Sequence, residues 1–405
     1  MSPDHHDSGA AGERQGESTR AVHAGGPPAR AGGPVVTPIH QTATFFSEPV
    51  PAGEVLYTRY GTNPNQLALQ EKLSALENAE DAVVLASGNA ACTLALLSCV
   101  GAGDHIIAQP ELYGGTLRIL RRELPRLGIA VTFLPDIARW SDAVRPETRA
   151  LLMEIPVNPT LRVPDIDLAA QVARRAGVPL IVDATFASPI NFRALEHGAD
   201  LVFHSGTKYL GGHSDLTAGV VAGNAARVAE VKELLKSFGP VLDPHAVWLL
   251  ERGVKTLALR IARHNENGLA VARWLETHPV VDSVLYPGLE SHPDHTRARK
   301  LLAGFGGVVA VMVRGGDEAA LRITQRLRLM CVAPSLGGVE TLVSMPCFTS
   351  HASLTREERH AIGIGDGFIR LALGIEDAGD LIRDLDQALA PEVERTRARP
   401  AEVLP

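Results

Sequence analysis

The residues best equipped for chemistry in this chain gather around one lysine. Lys208, one of only six lysines, stands in Ser205-Gly206-Thr207-Lys208 directly after the apolar run 201–204. An amine at the carboxyl end of a sheet strand lies where open α/β sheets bind ligands. Ser205 and Thr207 put two hydroxyls beside it, a setting for a phosphate-bearing cofactor whose aldehyde condenses with the amine. Asp183 closes another apolar run, Leu180-Ile181-Val182. A carboxylate desolvated there needs a cationic or hydrogen-bonded partner to stay charged, and a pyridinium nitrogen would be one. Ser87-Gly88-Asn89 falls between a strand and a helix, where free backbone N–H groups and the positive end of the helix dipole hold phosphate. Tyr113, ahead of Gly114-Gly115-Thr116, offers a ring for stacking and a phenol as proton donor. Asn158, in Asn158-Pro159-Thr160, could present its amide to a ring hydroxyl. Arg370, in the run 368–373, could bind a carboxylate bidentately, with Ser335 and Leu336-Gly337-Gly338 adding donors. Each of these also has an ordinary structural reading: a strand-end lysine, a capping aspartate, tight turns, a half-exposed strand arginine.

Positioning such groups requires a sheet whose carboxyl edges meet. Short apolar runs at 82–86, 106–109, 131–134, 151–155, 180–183 and 201–204 read as strands. Helical stretches at 90–100, 117–127, 167–176 and 191–197 alternate with them. The alternation predicts an α/β domain with a mostly parallel sheet covered on both faces. A further run at 218–222 precedes helical text, with one Gly-interrupted or two consecutive helices over 244–278, including 256–274. A smaller α+β unit then follows, with strands at 283–286, 307–313 and 368–374 and helices at 318–327 and 377–388. We read residues 1–18 as disordered and 19–63 as an irregular arm carrying Tyr57-Thr58-Arg59-Tyr60. The larger domain takes 64–255, the smaller 256–392, and 393–405 form a flexible tail. No internal repeat is visible.

Composition narrows the function classes. At 405 residues and 45% hydrophobic content the chain can bury a large core, and its net charge of −7 is spread without a basic run, so a nucleic-acid partner is not expected. No stretch approaches the length of a membrane span; 305–313 is about the longest apolar run. The first 34 residues lack the apolar segment of a secretory signal, and we expect a cytoplasmic protein. Cys92, Cys99, Cys331 and Cys347 lack C-x-x-C spacing, and His5-His6 and the pair His292/His295 supply only two ligands each, so no metal site is assigned.

Taken together, the motifs resemble the Cys/Met-metabolism family of pyridoxal 5′-phosphate (PLP) enzymes, which includes cystathionine γ-synthase, cystathionine γ-lyase and methionine γ-lyase. The resemblance runs from about Thr19 to Leu389. Its marks are Thr19-Arg20-Ala21-Val22-His23-Ala24-Gly25, Tyr57-Thr58-Arg59-Tyr60-Gly61, Asn158-Pro159-Thr160, Val182-Asp183-Ala184-Thr185-Phe186, Ser205-Gly206-Thr207-Lys208-Tyr209 and Ser335-Leu336-Gly337-Gly338-Val339-Glu340. It implies the aspartate-aminotransferase-like fold, fold type I, in a homotetramer of two active dimers. Lys208 would be the Schiff-base lysine and proton shuttle, with Asp183 on the pyridine nitrogen. Ser87, Gly88, Asn89, Ser205 and Thr207 would hold the phosphate, helped by Tyr57 and Arg59 from a neighbouring subunit. Tyr113 would stack on the ring and protonate a leaving group. Thr185 belongs to the same cofactor set, and Asn158, Ser335 and Arg370 would place the cofactor or bind the substrate carboxylate.

Two departures bear on the substrate. Gly115 stands where typical methionine γ-lyases carry cysteine, and Pro334 where many cystathionine enzymes carry a glutamate for the distal amino group. Two others, Asn89 in Ser87-Gly88-Asn89 and Gly61-Thr62-Asn63-Pro64-Asn65, remove no catalytic group. The expected reaction is γ-elimination on a sulfur amino acid, methionine or cystathionine. γ-Replacement on an activated homoserine ester and β-elimination of cystathionine are the variants. A catalytically silent scaffold relative is argued against by the complete set Lys208, Asp183 and Arg370.

Overall fold

Runs of Val, Ile, Leu and Ala are apolar on both sides of the pleat, so as strands they need cover on both faces. In the computed structural model, which describes residues 15–48, 55–349, 351–352 and 354–398, seven of them form one sheet. They are β1 (Asp81–Leu85), β2 (His105–Ala108), β3 (Ala130–Phe133), β4 (Thr148–Glu154), β5 (Leu180–Asp183), β6 (Leu201–Ser205) and β7 (Gly219–Gly223). Their order is β1-β7-β6-β5-β4-β2-β3, and every pairing is parallel except the two made by β7. Alternate residues serve opposite cores. Val84, Met153, Val182 and Val202 join one core, while Val83, Leu152, Ile181 and Phe203 join the other. This is the α/β architecture expected, with β7 as its one reversed strand.

The second sheet has the order β10-β11-β12-β9-β8, from β8 (Val281–Leu285), β9 (Val308–Val313), β10 (Cys331–Val332), β11 (Leu342–Ser344) and β12 (Phe368–Ala372). Only β10 and β11 run parallel. Its core shares Val271 and Leu275 of the helix Leu257–Glu276 and Leu381 and Leu385 of the helix Ala378–Ala398. Among the described residues no helix is long and apolar enough to cross a membrane.

Several elements differ from the sequence reading. The helix expected over 117–127 is an α-turn Gly114–Arg118, a π-turn Ile119–Glu123 and a short α-turn Leu124–Arg126. Pro125 has no N–H to return to the carbonyl four residues back, and a wider turn accommodates the break. The stretch 191–197 resolves into Ser188–Asn191 and a 3₁₀ turn Ala194–His197. A helix, Glu17–His23, stands where irregular chain was expected. Seven residues are too few to be helical by propensity alone. This one is fixed from outside: Arg20 bonds Ala75 O and Asn78 Oδ1, and Lys72 Nζ bonds Val22 O and Ala24 O. The last helix runs ten residues past its expected end at 388, into the segment read as a tail. Residues 1–14, with His5 and His6, and 399–405 lie outside the described residues, as do 49–54 of the arm.

Candidate active site

The carboxyl ends of β1, β4, β5 and β6 open on a cavity of about 720 Å³. Twelve of the fourteen residues singled out from the sequence line it: Ser87, Gly88, Asn89, Tyr113, Asn158, Asp183, Thr185, Ser205, Thr207, Lys208, Ser335 and Arg370. Tyr57 and Arg59 do not. Arg59 lies over the Tyr60 ring and donates to Lys236 O at 2.7 Å, near the end of the helix Ala225–Phe238.

Two turns form a cradle. Ser87 caps the helix Gly88–Leu97, its Oγ accepting the Ala90 N–H at 3.1 Å, and the other first-turn donors remain for an anion. A Cβ at Gly88 would fall 2.7 Å from the Ser205 Cβ, so the turns after β1 and β6 touch only because this residue is glycine. Thr185 Oγ1 accepts the Ser205 N–H at 2.9 Å, and Thr207 Oγ1 accepts the Ala218 N–H at 3.0 Å. A Cβ at Gly115 would meet the Tyr113 ring at 2.5 Å, so glycine there lets that ring fold back against its own turn.

Lys208 Nζ reaches across the cavity and donates to Ser335 Oγ at 2.6 Å. Burial first, and the Arg370 guanidinium second, lower the amine to about 8. Asp183 is buried, which pushes its carboxyl up against two hydrogen bonds from Thr185, N at 3.0 Å and Oγ1 at 2.5 Å, both to Oδ1. Asp183 Oδ2 has no hydrogen-bond partner among the described residues, an acceptor suited to a protonated ring nitrogen.

Arg370 comes from the other sheet, on β12. Nη1 donates to Asn158 Oδ1 at 3.0 Å and Nη2 to Ser335 O at 2.9 Å. Nε is buried without a partner among the described residues. Burial lowers the guanidinium only to about 10, so it remains cationic at neutral pH. Ser335 has φ of 100°, a backbone region that side chains disfavour, and it is pinned by Lys208 on its hydroxyl and Arg370 on its carbonyl.

The sequence reading missed Glu154, Phe203, Thr217, Phe348 and Thr349 as lining residues. Glu154 had a signal, an acid inside the otherwise apolar run 151–155. Phe348 and Thr349 lie after the three-residue strand β11, with no motif to mark them. Among the described residues no three His, Cys, Asp or Glu side chains converge as a metal site. The donor set fits PLP on its own chemistry: a phosphate cradle, a lowered amine for the aldehyde, an open carboxylate oxygen for the ring nitrogen, and an orphaned guanidinium N–H for a substrate carboxylate.

Comparison with known proteins points the same way. The family described as "Cys/Met metabolism PLP-dependent enzyme" matches residues 18–390. Cystathionine gamma-lyase of Bacillus subtilis is 41% identical over 377 residues, 92% of this chain and 99% of that protein. Cystathionine gamma-synthase of Mycobacterium tuberculosis is also 41% identical, over 92% of this chain and 97% of its own. Among solved structures, cystathionine gamma-lyase from Lactobacillus plantarum complexed with L-serine superposes with a TM-score of 0.88 at 33% identity, covering 93% of this chain and 99% of that one. A cavity built for this cofactor and a match along nearly the whole chain lead to one assignment: the chain belongs to the Cys/Met-metabolism family of PLP-dependent enzymes.

Proposed function

We propose that this enzyme is a carbon–sulfur lyase that carries out γ-elimination on a sulfur amino acid, methionine or cystathionine, releasing a thiol, ammonia and 2-oxobutanoate. The observation that carries this reading is the distribution of charge in the cavity. The charged side chains among its described lining residues are Glu154, Asp183, Lys208 and Arg370, and the rest of the lining includes the apolar Pro334, Leu336, Phe348 and the Tyr113 ring. A thioether side chain meets apolar surface there, and among the described lining residues no carboxylate other than Glu154 and Asp183 is present to meet a distal ammonium.

PLP, when bound, withdraws electrons from the substrate bonds at Cα. Arg370 holds the substrate carboxylate through Nε and its guanidinium edge, which fixes the face presented to Lys208. With its amine lowered by burial and by Arg370, Lys208 can take the proton at Cα and, once it has given that proton up, the one at Cβ. Ser335 Oγ orients the amine, and Asp183 would keep the ring nitrogen of the bound cofactor protonated through electrostatic attraction. The Tyr113 phenol, at the cavity edge, returns a proton to the departing sulfur. We also read the chain as a cytoplasmic tetramer of two active dimers. The exposed apolar arm residues Val35, Val36, Ile39 and Phe46 and four free cysteines support that reading.

Purified holoenzyme given methionine or cystathionine should form 2-oxobutanoate and free thiol. No keto acid from either would overturn the assignment, and pyruvate from cystathionine would replace it by β-elimination. A second reading, γ-replacement on an activated homoserine ester, is supported by the synthase relative, as similar to this chain as the lyase. Ester consumption that accelerates only when thiol is added would favour it.

A further inference from the structure

We infer that Glu154 is a positioning residue of the reaction, a single carboxylate that keeps the proton-donating phenol and the substrate-carboxylate clamp in fixed relation. The inference rests on reading the cavity as the PLP site, not on which thioether is cleaved. Glu154 ends β4 opposite Asp183 in the β4–β5 register and is 3% exposed. Its Oε2 accepts the Tyr113 N–H at 2.7 Å and its Oε1 the Asn158 N–H at 2.7 Å. Tyr113 opens the turn after β2, and Asn158, in the turn after β4, holds Arg370 Nη1 at 3.0 Å. One side chain thus ties together two loops from different strands and, through Asn158, the arginine from the other sheet. Its own backbone is steadied by Gln109, whose Oε1 accepts the Glu154 N–H at 3.3 Å.

The residue type follows from the donors. Two N–H groups need two acceptor oxygens, which a carboxylate supplies and an amide does not; glutamine would turn its NH₂ against one of them. Burial and the neighbouring Asp183 both push the Glu154 carboxyl up, so the group is kept at a cost that an apolar residue filling the same strand end would avoid. That cost is intelligible if the two loops must be held for chemistry.

The test uses Glu154→Gln and Glu154→Asp as PLP-loaded holoenzymes. Glycine, which carries the carboxylate and amine but no leaving group, reports clamp geometry through its effect on the visible absorbance of the bound cofactor. The Gln variant should keep the visible band and melt within about 5 °C of the unmodified enzyme. Its kcat should fall about 100-fold, the scale of a 1 Å misplacement, and its glycine Kd should rise about tenfold. Unchanged kcat and glycine affinity would overturn the inference. If the Gln variant does not fold, the Asp variant decides: one methylene shorter, it reaches only one N–H, and unaltered kinetics and glycine binding there would equally overturn the role. An enzyme that forms no keto acid but still binds glycine separates a failure of the γ-elimination reading from a failure of this one.

Discussion

Lys208, Asp183 and Glu154 sit at or just beyond the ends of strands buried almost throughout, whereas Tyr113 and Phe348 stand on connecting segments, 43% and 63% exposed. The inner half of the cavity is specified by the sheet itself: parallel neighbours fix where each carboxyl end falls, and glycines such as Gly88 let the turns touch. The outer half is specified by loops, and Tyr57 and Arg59 lie outside this cavity, on a segment that packs against the helix Ala225–Phe238. On the proposed reading, the lysine and the ring-nitrogen carboxylate belong to the sheet-held half, and the residues that would meet the substrate side chain belong largely to loops.

Substitutions can break that contrast or sharpen it. Lys208→Ala should cost at least about 10³-fold in kcat and abolish borohydride bleaching of the visible band; an active variant would remove the sheet-held half from the chemistry. Arg370→Lys retains charge but loses the fork shared by Asn158 and Ser335, and should lower kcat/KM about 100-fold, chiefly through KM. Arg59→Ala should weaken cofactor retention about tenfold, measured by dialysis against dilute PLP, while leaving the melting midpoint of cofactor-free protein nearly unchanged. An equal effect on both would assign Arg59 to folding rather than to a neighbour's cradle.

The smallest effect concerns cofactor-free stability. Burial brings the Lys208 amine from its usual 10.5 to about 8, so between those values the unfolded chain binds more protons than the folded one. Stability contributed by this group therefore rises with pH from about 8 to 10.5, and at pH 7 the buried ammonium carries its full penalty. Lys208→Met should raise the apo melting midpoint at pH 7 by a few degrees and lose that advantage by about pH 10.5. Lys72, also lowered to about 8 by burial, adds a slope in the same window, which comparison of the two proteins subtracts. An unchanged midpoint would mean that Lys208 is not held under strain.

Much of this architecture was legible because the strands are apolar runs of four to seven residues whose ends carry the polar groups. Asp183 closes β5 as the pattern predicts, and the Ser205-to-Lys208 turn follows directly from β6. Elements made by tertiary contact were not legible. The helix Glu17–His23 depends on Lys72 and on the partners of Arg20, and the strands β10 and β11 have two and three residues, too short for any period to appear. Glu154 was hidden for a related reason. A strand reading sorts residues by face, and its importance lies in two backbone donors contributed by loops 41 and 4 positions away.

The reversed strand β7 carries a consequence for how the protein is made. It lies between β1 and β6, pairing Asp81 with Gly223 and Leu201 with Gly223, so the two halves of the phosphate cradle are brought into place around a strand that follows both in sequence. During synthesis β1 must wait for more than a hundred further residues before its partner leaves the ribosome, and Arg370 arrives later still. Contacts of such long sequence separation form slowly and expose apolar strand edges meanwhile. A nascent chain stalled before residue 219 would carry Lys208 and Asp183 yet have no closed cradle, and the cell would meet it as a substrate for chaperones rather than as an acceptor of PLP.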